Sequence, residues 1–320
     1  MSQPPFKSDS LYEPHRRLRL IAGPLFGIAC FLATLTGVLV LSVLLGSVIG
    51  RVLHHQPGHA WHDFAGNTKR LIAFLGELIS RKQSSDPMIA GFRMGVIGSL
   101  WLLGLVALFA IPVGVGAAVF LEEYAPPGQI RRIIQTNIAN LAGVPSIVYG
   151  ILGLALFVRG FGYKGLALGP SLWAGSLTLG LLILPVIVIA TQEALRTVPP
   201  SLRQAALALG ATRWQMVRDH VLPASLPGIL TGTILGLSRA IGETAPLLMV
   251  GAAGSILRAP KSPSDRYTAL PVEIYNYAKE ANTEFQTVAA GGILLLLILL
   301  LSMNATAIVI RNRQGHQRTA

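Results

Sequence analysis

The chain is 320 residues long, 52% of it apolar and 12% charged, about half the roughly 25% charge of an average soluble domain. That balance excludes an ordinary soluble globule, and a chain this apolar has no reason to stay expanded. Its formal charge of +12 would suggest nucleic acid in a soluble protein, but the basic residues lie between long apolar runs, so a membrane surface is expected and nucleic acid is not.

About 18 nearly uncharged apolar residues suffice to cross a hydrocarbon core of roughly 30 Å as a helix. Six segments meet that test, at about 20–49, 94–121, 138–158, 166–190, 228–252 and 288–310. The expected fold class is an all-α polytopic membrane protein with six transmembrane helices. Its expected parts are a tail over 1–19, a first span over 20–50, an outer loop over 51–93, a core over 94–310 with an inner loop over 191–227, and a tail over 311–320.

The first run is too long for the core of a cleaved signal peptide and reads as an uncleaved span. It carries the single cysteine, Cys30, which excludes an internal disulfide or a CxxC site. Arg16, Arg17 and Arg19 precede it, Arg131 and Arg132 follow span two, and Arg196, Arg203, Arg213 and Arg218 follow span four. Those clusters put both termini and the 191–227 loop inside. In the outer loop, His54, His55, His59, His62 and Asp63 are the one metal-like cluster, but Gln56, Pro57 and Gly58 oppose a regular helix there. A solvated loop is expected, with no metal. Beyond it, TKRLIAFLGELI has the spacing of a short amphipathic helix.

Glu122 and Glu123, at the inner end of span two, read as a solvated acidic pair. Span three places Asn140, Ser146 and Tyr149 around Gly143 and Pro145. A break at membrane depth is tolerable only against protein or a cavity. Two readings stay open: these residues line a path, or they belong to a kinked span packed on a neighbour.

The inner loop reads as helix, sharp turn, helix. Pro199 and Pro200 end what precedes them, and Ser201 with Gln204 has capping-box spacing for a first helix containing Ala205, Ala206 and Ala208. Gly210 suits the left-handed position past that helix, and Thr212 with Gln215 repeats the box for a second helix ending at Leu222 and Pro223. Either the element fits a groove on another protein or it covers the inner ends of its own spans.

Span five holds Arg239 and Glu243, one helical turn apart at membrane depth, with Thr244 and Pro246 just after. A charge at mid-span costs about 2.5 to 3.5 kcal/mol on insertion scales, so both should face protein or water. One reading is a structural ion pair. The other, preferred here, is an anion path in which Arg239 attracts and Glu243 moderates, Thr244 donates a hydroxyl and Pro246 supplies a flexing point. Between the last spans, LPVEIYNYAKE lies in an outer loop long enough for structure of its own.

QAALALGATRWQMVRDHVLP resembles the inner-loop signature of ATP-binding-cassette (ABC) importer permeases: E-A-A, three residues, Gly, nine or so residues, then a hydrophobic residue and Pro. Gln204 stands where that family usually carries Glu. LEEYAPPG, LAGVPSIVYG, LSRAIGETAPLL and LPVEIYNYA extend the resemblance over about residues 90–313 to its phosphate-specific members, and GETAPLL points to their A-type subunit. The resemblance implies a type I importer permease fold in a bacterial inner membrane. It implies as partners a C-type permease subunit, an ATPase homodimer and an external phosphate-binding protein. It also implies a coupling element, with Ser201, Gln204, Ala205, Ala206, Gly210 and Pro223, that enters a cleft of the ATPase. No G-x-x-x-x-G-K-[ST] occurs, so ATP and Mg belong to the partner ATPase; no cofactor and no enzyme activity are expected of this chain. Other oxyanions such as sulfate or molybdate, and an ATP-independent transporter or channel, remain as alternatives.

Overall fold

The computed structural model describes residues 16–54, 64–163, 165–252, 256 and 258–316, and among them every regular element is helical. The tail before residue 16, the histidine segment 55–63 and residues 317–320 lie outside them. Two compact units divide the chain, residues 1–50 and 51–320.

The first unit holds most of α1 (Arg16–His54). Residues 25–44 are exposed one after another, Phe26, Phe31 and Leu41 among them, as suits a helix solvated by lipid. The hydroxyls of Thr34, Thr36 and Ser42 donate to the carbonyls of Cys30, Leu32 and Val38, four residues back, and so keep their polarity off the hydrocarbon.

The second unit continues with α2 (Phe64–Ser80), the amphipathic segment expected within 51–93, and α3 (Arg93–Val119), which runs on through a π-helical turn to Tyr124. Then come α4 (Gln129–Ala142), α5 (Ser146–Gly153, continued to Val158), α6 (Leu172–Arg196) and α7 (Pro200–Ala208). After them α8 (Arg213–Gln215) joins α9 (Leu222–Gly242) through a π-helical turn, followed by α10 (Ala245–Met249), α11 (Leu270–Ala278) and α12 (Thr283–His316). Among the described residues five helices are long and apolar enough to cross a membrane, and the bent pair α4–α5 brings the count to six when it is taken as one span.

Two expected boundaries move. Span four, expected over 166–190, starts at Leu172, because Gly169 has φ +65, Pro170 follows it, and Ser171 is the helix cap, its Oγ accepting the Ala174 amide at 3.4 Å. Span five, expected over 228–252, begins earlier and ends at Gly242. Pro223 stops nothing. The π turn before it has already shifted the ladder, Leu222 donating to the Val217 carbonyl five residues back, so a ring without an N–H is accommodated there.

α6 is the central helix, packed against α3 and α9. Val106 and Ala110 of α3, Ile183 and Ile187 of α6, Ala240 of α9 and Leu247 of α10 share one buried cluster with Tyr267. Close approach depends on glycine. Gly228, Gly232 and Gly236 form a stripe of one residue per turn on α9, facing Ala194, Ala190 and Ile187 of α6. A methyl group on Gly228 would lie 2.6 Å from the Ala194 Cβ, and one on Gly232 would overlap the Ala190 Cβ.

α11, between the last two spans, is held on α3. The Leu270 amide donates to Ser99 Oγ at 2.9 Å, and the Tyr277 hydroxyl donates to the Gly91 carbonyl at 3.3 Å. Burial pushes the Tyr277 hydroxyl up to about 12. Glu273 is fully buried beside Gly95 in the first turn of α3, with no hydrogen-bond partner on either carboxylate oxygen among the described residues. Burial pushes its pKa up to about 8, and the nearby Gly95 backbone offsets part of that.

Two outcomes follow. Gly232→Val should cost about 1–3 kcal/mol of overpacking, read as a lowered thermal midpoint in detergent, whereas Gly104→Ala, at a site with open space around it, should not. For Glu273, the folded chain keeps its proton between the ordinary carboxyl value of 4.5 and about 8, while the unfolded chain releases it. Stability from this group is therefore fullest below pH 4.5 and is lost as pH rises through that window. Glu273→Gln should match the parent protein at the acid end and exceed its thermal midpoint at pH 8. An equal gap at both ends would show that ionisation of Glu273 carries no cost.

Candidate functional site

Two spans are discontinuous. α4 and α5 differ in direction by 102° across Gly143–Pro145. Pro145 has no amide to donate and biases Val144 away from the helix. Few backbone groups are stranded, since Gly143 and Val144 donate to the Asn140 and Leu141 carbonyls at 3.0 and 3.1 Å and Val148 donates to that of Pro145 at 3.0 Å. In span five, α9 stops at Gly242, Glu243 is extended (φ −78, ψ 113), and α10 restarts with Pro246 in its first turn. The flexing point expected at Pro246 therefore lies three residues earlier, because a ring at Pro246 denies the Gly242 carbonyl its helical partner.

The two breaks adjoin. Gly150 of α5 lies against Pro246 of α10, where an added methyl group would come 2.7 Å from the Pro246 Cα. Tyr149 is buried in the cluster with Ala240 and Leu247, and its hydroxyl donates to the Leu141 carbonyl at 2.8 Å, closing the α4–α5 corner. Arg239 and Glu243 pair as their spacing predicted, Arg239 Nε to Glu243 Oε1 at 3.3 Å, although the helix ends between them. The Arg239 side chain is 40% exposed and Glu243 18%. Only Nε of Arg239 is engaged among the described residues, which leaves its terminal N–H groups to meet an anion. Thr244 is half-buried in the break, Ser146 half-buried at the first position of α5, and Asn140 exposed in the last turn of α4. The sequence reading did not weigh Ser238, which makes a polar contact to another span. Ser238, the neighbour of Arg239, donates to Asn304 Oδ1 of α12 at 2.6 Å.

A wide apolar groove of about 900 Å³, lined by Ile111, Val115, Phe120, Leu222, Leu226 and Leu230 among others, holds none of the path residues and offers no charge to bind an anion. Pro223, expected in the coupling element, is among the residues that line that groove.

The helix-turn-helix expected over 201–223 is present. Gly210 has φ +86; its amide donates to the Leu207 carbonyl at 3.0 Å and the Ala211 amide to that of Ala206 at 3.1 Å, the paired bonds of a Schellman C-cap. Thr212 and Gln215 form a capping box, Thr212 N to Gln215 Oε1 at 2.8 Å and Gln215 N to Thr212 Oγ1 at 3.3 Å. The first box does not form. Pro200 occupies the first helical position, so Ser201 lies inside α7 rather than at its cap, and no side chain caps that end. Ser201, Gln204, Ala205 and Gly210 are exposed, but Ala206 is buried among Leu195, Val198, Met216, Val217 and Val221 of its own chain. Leu209, at the turn, is 90% exposed. A large apolar side chain held out on a capped turn suits a groove on a second protein.

Glu122 and Glu123 are not solvated. Glu123, 6% exposed, accepts from Arg203 of α7 at 2.8 Å, and Glu122, 14% exposed, accepts from Arg131 of α4 at 3.1 Å and Arg196 of α6 at 3.0 Å. Arg196 also meets Glu193 at 2.8 Å. Burying both carboxylates is tolerable because three arginines compensate them. The partners lie up to 80 residues apart in sequence, which is why spacing along one helix did not reveal them.

A family model described as "binding-protein-dependent transport system inner membrane component" matches residues 110–314. Among curated relatives, a probable ABC transporter permease protein of Bacillus subtilis is 32% identical over 90% of this chain and 89% of its own length. The phosphate transport system permease protein PstA of Haemophilus influenzae is 32% identical over 76% and 84%. PstA 1 of Mycobacterium tuberculosis is 35% identical over 71% and 72%. Among solved structures, a bacterial ABC transporter involved in import of the acidic polysaccharide alginate superposes with TM-score 0.61 at 20% identity, over 93% of this chain and 99% of that one. The inward-facing MetNI methionine ABC transporter gives TM-score 0.52 at 24% identity, over 72% and 99%. These likenesses establish a type I importer permease fold.

Proposed function

The chain belongs to the binding-protein-dependent transport system inner membrane components, the multi-pass permeases of ABC importers, and we propose that it forms half of an ATP-driven path for inorganic phosphate. The observation that carries this reading is the Arg239–Glu243 pair at the adjoining breaks of two discontinuous spans. Arg239 presents planar N–H donors suited to an oxyanion, and Glu243 lowers the net charge so that a bound anion is not held too tightly to leave. Tyr149 closes the corner beside them, and Thr244, Ser146 and Asn140 supply uncharged polar groups near the breaks. Relatives that carry phosphate in their names support the choice of anion.

The energy comes from a separate ATPase homodimer, which holds the ATP and Mg. Ser201, Gln204, Ala205, Leu209 and Gly210 form the surface it receives, while Ala206 braces that surface from within. A C-type permease subunit completes the path, and an external phosphate-binding protein delivers the anion. Both termini lie in the cytoplasm and the span bundle in a bacterial inner membrane.

The test is uptake of labelled phosphate and labelled sulfate into vesicles carrying the full complex, with and without ATP. Phosphate uptake that requires ATP is expected. Uptake by this chain alone without ATP would overturn the importer reading, and a preference for sulfate would overturn the anion. Arg239→Ala should lower phosphate uptake at least about tenfold, the scale of a hydrogen bond to a charged group, while the complex still assembles; lost assembly would mark a structural ion pair. Gly210→Val forces a β-branched residue into a left-handed conformation, at a cost of roughly 1–2 kcal/mol or more. ATP-driven uptake should fall while the chain still inserts, and unchanged uptake would remove the turn from the coupling element.

A further inference from the structure

The inner ends of four helices meet at two consecutive carboxylates. Arg203 of α7 grips Glu123 with a fork, Nη2 to Oε1 at 2.8 Å and Nε to Oε1 and Oε2 at 3.2 and 3.3 Å. The same guanidinium donates to the carbonyls of Val198 and Leu195, at the end of α6, at 2.6 and 2.8 Å. One step along the backbone, Glu122 holds Arg131 of α4 and Arg196 of α6. The step lies in the π-helical turn Phe120–Tyr124 that ends α3. Glu122, Glu123, Arg131 and Arg203 are largely shielded, Glu123 most of all, whereas Arg196 is exposed, and a forked charge pair in the shielded surroundings of Glu123 has one geometry and resists stretching.

We propose that Glu122 and Glu123 are the joint through which movement of the coupling helix reaches the substrate path, with Arg203 as its positioning residue. This rests on the importer reading above. A displacement of α7 pulls Glu123 through Arg203. The same turn carries Glu122, which pulls α4 through Arg131. α4 ends at the 102° corner with α5, and α5 touches Pro246 beside the break that holds Glu243 and Thr244. Each link is a short ion pair or a close backbone approach, so motion at one end has little slack to absorb it. Apolar contact alone, Leu202 and Ala206 on Leu195, Val198 and Val217, would keep α7 attached but would let it slide.

The measurement is phosphate moved per ATP hydrolysed by the full complex in vesicles, using only preparations that retain every subunit. Arg203→Met and Glu123→Gln should each lower this ratio by about tenfold, within the range for residues that couple two sites. Their double variant should be no worse than the more severe single change, because both remove one link. Arg203→Lys, which keeps the charge but not the fork, should fall between the parent and Arg203→Met. Unchanged ratios in assembled single variants overturn the joint, as do losses that simply add in the double. If all variants, Arg203→Lys included, fail to assemble, the pair is scaffold and the joint is overturned equally. A parent complex that moves no phosphate with ATP overturns the importer reading and the joint with it, whereas a tightly coupled parent with tightly coupled variants overturns the joint alone.

Discussion

In hydrocarbon, a backbone amide or carbonyl without a partner costs several kcal/mol, and the rest of this structure depends on how that demand is met. Most of the chain meets it with uninterrupted helix. Where helix fails, at Gly143–Pro145 and at Glu243–Thr244, the breaks sit beside each other and beside buried residues of the bundle, so each lies against protein. The prolines of α9 meet the demand differently: a π-helical turn before Pro223 shifts the hydrogen-bond ladder without ending the helix. The two full breaks thus fall where Arg239, Glu243, Thr244 and Ser146 also lie.

Once the backbone is satisfied, helices in a membrane gain little by hiding apolar side chains from one another, because lipid is equally apolar. Close contact then needs small residues. The glycine stripe on α9 and the alanines of α6 let the two backbones approach, and Gly150 does the same for α5 against α10. This close packing makes α6 a fixed reference for both broken spans. At its C-terminal end the principle changes from small residues to charge, and α3, α4, α6 and α7 are tied by ion pairs instead.

Much of this was legible from the amino acids. Long apolar runs give the spans, Gly210 and the Thr212/Gln215 box give the turn, and Arg239 with Glu243 declares itself by its cost at membrane depth. What was misread shares a cause. Glu122 and Glu123 look solvated because the arginines that bury them come from distant parts of the chain. Ala206 looks like its neighbours Ala205 and Ala208, and only the packing of α7 on Val217 and Val221 separates the inward face from the outward one. The Ser201/Gln204 box has the right spacing in the wrong register, because Pro200 takes the first helical position for itself. Local chemistry is readable from local sequence, whereas a charge's surroundings are decided by partners that folding brings in.

The contrast between the buried acids follows from the same point. Glu122 and Glu123 lie in the turn that ends α3 with three guanidinium groups against them, and their charges hold helices together. Glu273 lies between α11 and the first turn of α3, with no ion pair to it among the described residues, so burial raises its pKa and favours the neutral form. Ion pairing ties these helix ends together, because the attraction between opposite charges acts over several ångströms. A neutral carboxyl suits a contact that must only fit, since it adds volume and a hydrogen-bond donor without a net charge to balance. The two ends of one bundle therefore use the same side chain in opposite ionisation states, each set by whether arginine is within reach.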